Sequence, residues 1–213
     1  MGEVAVSARV EHTWIEVEIV DDTSGDPVPN AKVALTAPGT ERRELTTTSA
    51  GIVAVKPCEH GTAILAANPG GASIGDTLEV LGAGEASMTP LRGQPFPRTP
   101  GRPWSLARIV RHRVRTGESL DSVAKAHGMT WQELAKFNFG TDDPRKINEA
   151  LRDQVGCTRR TKSDKNYVLD SADEPGILFI PQPAIVTGLA TGEQHVVRAR
   201  AIDRPMLFFL FSH

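Results

Sequence analysis

Hydrophobic and polar residues alternate along the first third of the chain. From residue 14 to residue 20, the aliphatic residues Ile15, Val17 and Ile19 alternate with aromatic or acidic ones. A period of two is typical of a strand with one buried face. Similar short runs recur at 31–36, 43–48, 52–56 and 62–66. Turn-forming residues separate these runs, so the pattern predicts a small antiparallel β-sandwich over residues 9–67.

Proline and glycine dominate the next segment, residues 68–107. The runs Pro95–Pro97 and Pro100–Pro103 fit neither a helix nor the interior of a sheet, because proline lacks a backbone N–H. The composition therefore predicts an extended linker. We expect one extra strand within it, at 77–81, packed back onto the first module.

A helical period begins near residue 120. One apolar stripe is formed by Leu120, Val123, Ala124 and His127. Ser119 is well placed to cap the N-terminus of this helix, and Gly128 to end it. A short alternating strand at 109–114 precedes the helix, so this region begins as a strand followed by a helix.

A second helix and a closing strand complete this region. Thr130 and Glu133 form a capping box that predicts a helix from residue 131 to about residue 137. Residues 176–181 are an apolar strand closed by Pro181. The predicted order over residues 108–181 is therefore strand, helix, helix, strand.

The sequence of residues 112–138, HRVRTGESLDSVAKAHGMTWQELAKFN, resembles a LysM domain. That family follows the pattern Y-x-V-x-x-G-D-T-L-x-x-I-A, then G-x-T-x-x-x-L-x-x-x-N, and closes with L-x-I-P. The positions that match in register are Val114, Gly117, Leu120, Val123, Ala124, Gly128, Thr130, Leu134, Asn138 and Ile180–Pro181. The resemblance implies an α+β domain of βααβ fold that binds N-acetylglucosamine-containing glycans, usually peptidoglycan or chitin, without hydrolysing them.

The resemblance also implies where a glycan would bind. One wall of the groove would be formed by Thr116, Gly117, Glu118, Ser119 and Leu120, and the other by Pro175, Gly176 and Ile177. Backbone groups can pair with the N-acetyl amide while apolar side chains cover the sugar ring. The plainer interpretation is that Gly117 turns the chain, Ser119 caps the helix and Leu120 belongs to the core.

Residues 139–175 are an insert relative to the LysM pattern, and they lie in a groove-forming loop. A helix capped by Asp143 and striped by Ile147, Leu151 and Val155 is predicted to end at Gly156. A short strand at 166–169 is also expected. Three roles for the insert are open: it roofs the groove, extends it, or replaces glycan binding with a protein contact.

Two further resemblances concern the rest of the chain. Residues 20–33 and 46–55 resemble the transthyretin-like or carboxypeptidase-regulatory-like, immunoglobulin-type sandwich, which implies a spacer or adhesive module. Residues 137–148, 155–157 and 175–177 resemble LysM modules of contractile injection machines, the type VI secretion and phage-tail-like class. This second resemblance implies a bacterial adaptor whose partner is a spike, baseplate or effector protein.

The C-terminal segment, residues 182–213, is expected to combine a strand at 194–202 with an apolar tail. Large apolar side chains in succession cannot all face one side of a sheet edge, and left exposed they would promote aggregation. We therefore predict that the tail docks into a partner through Leu207, Phe208, Phe209, Leu210 and Phe211.

Charge and composition exclude several classes of function. The net charge of −2 gives no reason to expect a nucleic acid partner, and no apolar run is long enough for a membrane span. The N-terminus lacks the apolar region of a secretory signal, so we expect a cytoplasmic chain that is exported or assembled through an injection apparatus. Cys58, Cys157 and the scattered histidines lack the spacing of a metal site, and no cofactor is predicted.

An enzyme is the weakest interpretation of the sequence. A lysozyme-like role for nearby carboxylates would draw on Glu118, Asp121, Glu133, Asp173 and Glu174. These acids occupy positions typical of solvated helix and turn residues, and no His or Ser is arranged as their catalytic partner. Cys157 lacks an activating base, and Arg159–Arg160 is read as a solvated turn. The sequence therefore predicts a multidomain, non-enzymatic protein.

Overall fold

The computed structural model describes residues 11–84, 103–161, 163 and 166–203. The strands are β1 (His12–Asp21), β2 (Lys32–Thr36), β3 (Arg43–Thr46), β4 (Ile52–Glu59), β5 (Thr62–Ala67), β6 (Thr77–Gly84), β7 (Ser105–Arg113), β8 (Ile177–Gln182), β9 (Ala184–Ala190) and β10 (Gln194–Ala201). The α-helices are α1 (Leu120–Ala126), α2 (Trp131–Phe139) and α3 (Pro144–Ala150), with a 3-10 turn at Ile74–Asp76 and a π-helical turn at Leu151–Val155. None of the helices in the described part of the chain is long and apolar enough to span a membrane.

The chain divides into two compact units that are interleaved in sequence. Of the described residues, the first unit contains 11–67, 81–84, 103–104 and 184–199. The second unit contains 68–80, 200–203 and the described part of 105–183. The domains expected from the sequence are consecutive, whereas these units are not, because strands from the C-terminal third complete the first unit. The predicted docking residues 207–211 lie outside the described residues.

The first unit contains two sheets that are consistent with a β-sandwich. In one sheet the strands of this unit follow the order β4-β1-β10, and the other sheet has the order β3-β2-β5-β9. The strands predicted at 14–20, 31–36, 43–48, 52–56 and 62–66 are present as β1 to β5. The predicted strands pair with one another antiparallel, β1 with β4 and β2 with β3 and β5. Strand β10, which lies outside residues 9–67, adds a parallel partner to β1, from Glu16 opposite Gln194 to Asp21 opposite Ala199.

Alternation along β1 produces the core of the first unit. Ile15, Val17 and Ile19 are fully buried, as their period of two predicts. Strand β9 was not predicted, although Ala184, Val186 and Leu189 are its buried positions. Between Val186 and Leu189 the alternation is broken by two exposed positions, which hides the period of two.

The second unit contains the strands β6, β7 and β8 in that order, and helix α2 packs against β8. Strand β6 runs parallel to β7, with Thr77 opposite Ser105. Strand β7 is antiparallel to β8, from Arg108 opposite Gln182 to Arg113 opposite Ile177. The extra strand predicted at 77–81 is therefore present as part of β6, and its residues from Thr77 to Glu79 pair with β7.

The insert shares the hydrophobic core of this unit. Buried residues of the LysM-like segment, such as Leu134 and Leu178, cluster with Ile147, Val155 and Leu169 of the insert. The predicted helix is α3 continued by the π-helical turn, and it ends at Gly156 in a left-handed conformation (φ +80°). The short strand expected at 166–169 is reduced to an isolated bridge between Arg160 and Tyr167. The insert is thus a built-in part of the domain.

Asn138 fixes the end of α2 to strand β8. Its side-chain amide donates to the carbonyl oxygens of Leu134 (3.0 Å) and Phe179 (2.8 Å). Its carbonyl accepts from the backbone N–H of Phe179 at 2.9 Å. Asn138 is only 3% exposed, so this LysM-motif residue has a structural role that joins helix and sheet.

Candidate functional site

The first predicted wall, residues 116–120, is the turn between β7 and α1. Gly117 adopts φ +90°, and a Cβ atom placed on it would meet nothing within 4 Å. The glycine is therefore required by the backbone conformation and leaves the surface above it open. The side chain of Ser119 accepts from Ser122 N (3.1 Å), and Ser122 Oγ accepts from Ser119 N (2.9 Å). Ser119 therefore caps α1, as the plainer interpretation expected.

Glu118 holds this turn against strand β7. Its Oε2 atom accepts from Arg115 N at 2.9 Å and lies 2.9 Å from His112 Nε2. Partial burial raises the pKa of Glu118, but the hydrogen bonds from His112 and from the backbone N–H of Arg115, together with the positive charge of Arg115, outweigh it and lower the pKa overall. Glu118 is therefore an ionised anchor of the loop, which does not suit a proton donor.

The second predicted wall, residues 175–177, is held by Arg113. The guanidinium donates to Pro175 O at 2.6 Å and to the Glu174 carboxylate at 2.7 Å. Gly176 N donates to Val155 O at 2.9 Å. Gly176 (φ +60°) is buried, and a Cβ atom there would collide with the carbonyl of Asp173. Arg113, which the sequence reasoning did not select, thus fixes this wall.

The structure brings the two walls together at the end of β7. Val114, which follows β7 and precedes the first wall, donates its backbone N–H to the carbonyl oxygen of Gly176 in the second wall at 2.8 Å. This hydrogen bond places the two walls side by side. Leu120 and Ile177 are both half-buried, while Thr116 and Gly117 are exposed. The arrangement offers open backbone, a few apolar side chains and fixed polar groups, which are the elements of a small ligand site.

A turn of the insert, Asp170–Asp173, lies against the first wall, and we call it the insert turn. Asp170 N donates to Asp173 Oδ2 at 2.8 Å, and Ala172 N donates to Asp170 Oδ1 at 3.0 Å. Thr116 Oγ1 accepts from Ser171 N at 3.2 Å and lies 3.0 Å from Ser171 Oγ. The sequence reasoning missed Ser171, because only the folded insert places it beside Thr116.

The acids considered for catalysis have local structural partners. Glu133 completes the capping box of α2 by accepting from Thr130 N at 2.8 Å, and Asp121 pairs with Lys125 at 2.7 Å. Glu174 pairs with Arg113, and Asp173 is buried within the insert turn. Burial and the nearby Asp173 carboxylate raise the pKa of the Cys157 thiol, which is the opposite of what a nucleophilic cysteine requires.

A second concave surface of this unit is a cavity of about 550 Å³ lined by Ser73, Ile74, Gly75, Phe137, Asn138, Phe139, Gly140 and Ile202. The sequence reasoning associated residues 137–140 with injection machines and did not predict a cavity there. Among the described residues, no group of His, Cys, Asp or Glu is arranged to hold a metal ion.

Comparison with known families matches residues 112–149 to the LysM domain. The match contains the first wall, both helices α1 and α2, and the beginning of the insert. Searches of curated proteins and of solved structures gave no match. LysM domains are binding modules, and they suggest recognition of peptidoglycan or related N-acetylglucosamine glycans in general. Residues 112–149 are therefore a LysM domain.

Proposed function

We propose that the second unit contains a non-enzymatic binding site for an N-acetylglucosamine-containing glycan, and that its target is bacterial peptidoglycan. The observation that carries the proposal is the hydrogen bond from Val114 N to Gly176 O, which sets the two walls side by side. The ligand would lie across the open surface above Gly117, with the half-buried Leu120 beneath the sugar ring.

The chemistry of these walls suits a neutral sugar. The charged side chains near the walls are paired within the protein: Glu118 accepts a hydrogen bond from Arg115 N, and Arg113 forms an ion pair with Glu174. Gly117 carries no side chain, so a sugar can approach its backbone closely. Hydrogen bonds from fixed backbone groups to an N-acetyl amide cost little ordering entropy.

The test is sedimentation of the full chain with purified peptidoglycan sacculi. Gly117→Trp fills the open surface between the walls and should abolish co-sedimentation. Gly128→Trp is the matched control, because Gly128 also has a positive φ (+71°) and open space around its Cβ position. Both variants place a side chain at a residue with positive φ, and only Gly117→Trp fills the surface between the walls, so only it should lose binding. Equal sedimentation of wild type and both variants would count against the proposed site.

A second candidate is a structural or adaptor role in a contractile injection apparatus, with the first unit as a transthyretin-like spacer. The cavity lined by Phe137, Phe139 and Gly140 favours it, because this surface could seat a partner's apolar side chains. In this role a chain made in the cytoplasm would be exported or assembled with the apparatus. Co-purification with a purified spike, baseplate or effector protein, lost in Gly75→Phe, is the expected result.

A further inference from the structure

The side-chain hydroxyl of Thr116 is already engaged by Ser171 of the insert turn. Its oxygen accepts from Ser171 N at 3.2 Å and lies 3.0 Å from Ser171 Oγ. A hydroxyl group has one donor and two acceptor sites, so these two contacts with Ser171 leave the Thr116 hydroxyl one site for a sugar.

The same bonds leave Ser171 with capacity to spare. The hydroxyl pair uses one of the three hydrogen-bonding sites of Ser171 Oγ and, whichever of the two oxygens donates, leaves Ser171 at least one acceptor site. Ser171 is exposed and lies beside the first wall. An acceptor at this position suits the N–H of an acetamido group or the O–H of a sugar.

The insert turn is rigid enough to hold that acceptor in place. Asp170 is bonded to Asp173 N and Ala172 N and forms an ion pair with Arg159. Leu169, just before the turn, is buried in the LysM core, and Gly176, just after it, is bonded to Val155. Because the Ser171 acceptor is already held in place, the protein loses little conformational entropy when a ligand binds to it.

We propose that Ser171 is a specificity-determining contact of the glycan site, and that Thr116 is the positioning residue that holds it there. This inference rests on the proposed glycan-binding function. Ser171 belongs to the insert and lies outside the matched LysM segment, so the insert completes the site by adding an acceptor for the ligand's N–H or O–H donors.

The experiment is calorimetric titration of the full chain with chitotetraose. Ser171→Ala should raise Kd about fivefold, the usual effect of losing one hydrogen bond, whereas Ser171→Thr should stay within about twofold of wild type. Ser163→Ala is the matched control, because Ser163 forms a similar exposed hydroxyl pair with Thr161 at 2.9 Å in the same insert. It should leave Kd unchanged.

Thr116 is tested by Thr116→Val and the conservative Thr116→Ser. Thr116→Val should weaken binding and speed amide hydrogen exchange at residues 170–173, and Thr116→Ser should restore both. Binding by wild type with an unchanged Kd in Ser171→Ala would overturn this inference and leave the glycan site standing. Absence of binding by wild type to chitotetraose and to soluble peptidoglycan fragments would overturn both.

Discussion

Replacement of Gly156 by alanine probes the contact that holds the second wall in place. Gly156 ends the π-helical turn at φ +80°, and a Cβ atom there would overlap the carbonyl group of Glu174. The Glu174–Gly176 segment would then have to move away. That movement breaks the 2.9 Å hydrogen bond from Gly176 N to Val155 O.

The expected cost of Gly156→Ala has two parts. Backbone strain at a left-handed position costs roughly 1–2 kcal/mol for a residue with a Cβ atom. The broken bond leaves the buried N–H of Gly176 without a partner, which costs about 1–3 kcal/mol more. We therefore expect the LysM core to lose about 3 kcal/mol of stability.

Gly140→Ala separates the two parts of that cost. Gly140 ends α2 at φ +70°, and its Cβ position meets nothing within 4 Å, so the variant carries the strain alone. Native-state hydrogen exchange of core amides such as those of Val123 and Ile180 measures both opening free energies. Gly156→Ala should cost about 2 kcal/mol more than Gly140→Ala. Equal costs would refute the idea that Gly156 supports the wall.

Three further predictions follow from side chains around the site. The pKa of Glu118 is lowered in the folded state, so its carboxylate stabilises the 115–119 turn fully at pH values above the ordinary pKa of a glutamate. This stabilisation is lost as the pH falls through the lowered pKa of the folded state. Amide hydrogen exchange at residues 115–119 should show the loss in wild type and not in Glu118→Gln. The raised pKa of the buried Cys157 should keep its thiol unreactive toward iodoacetamide at pH 8 until the protein is unfolded, and rapid alkylation of the native chain would contradict the burial described above. Asn138→Ala removes three hydrogen bonds and leaves the buried backbone groups of Phe179 unpaired, so urea unfolding should show a loss of about 3 kcal/mol.

Local sequence patterns predicted the elements whose formation depends on neighbouring residues. The alternation of Ile15, Val17 and Ile19 identified β1, and the Thr130–Glu133 capping box identified the start of α2. Ser119 was correctly expected at the N-cap of α1. Each of these patterns lies within a few consecutive residues, so the element that it forms can be predicted from the sequence alone.

Long-range pairings were out of reach of the same patterns. Nothing near Glu16 indicates that it will lie opposite Gln194, and parallel pairing of distant strands has no local signature. The glycine at 156 was predicted only to stop a helix, whereas its contact with Glu174 depends on the folded insert. The placement of Ser171 against Thr116 has the same origin.

The LysM resemblance selected wall residues that the fold does bring together, but it did not distinguish their roles. Ser119 is used as a helix cap, and Thr116 is used to hold the insert turn. These roles are set by hydrogen-bond partners that the motif does not specify. Which of the wall residues contact a glycan stays a prediction.

The most direct test of glycan binding at the two walls is a titration of the ¹⁵N-labelled full chain with chitotetraose, followed by NMR. The account predicts that the perturbed amides cluster at residues 115–120, at Ser171 and at 176–177. The amides around the 137–140 cavity should remain unchanged. A spectrum that stays constant, or shifts confined to that cavity, would contradict the claim that this LysM domain binds glycan between its two walls.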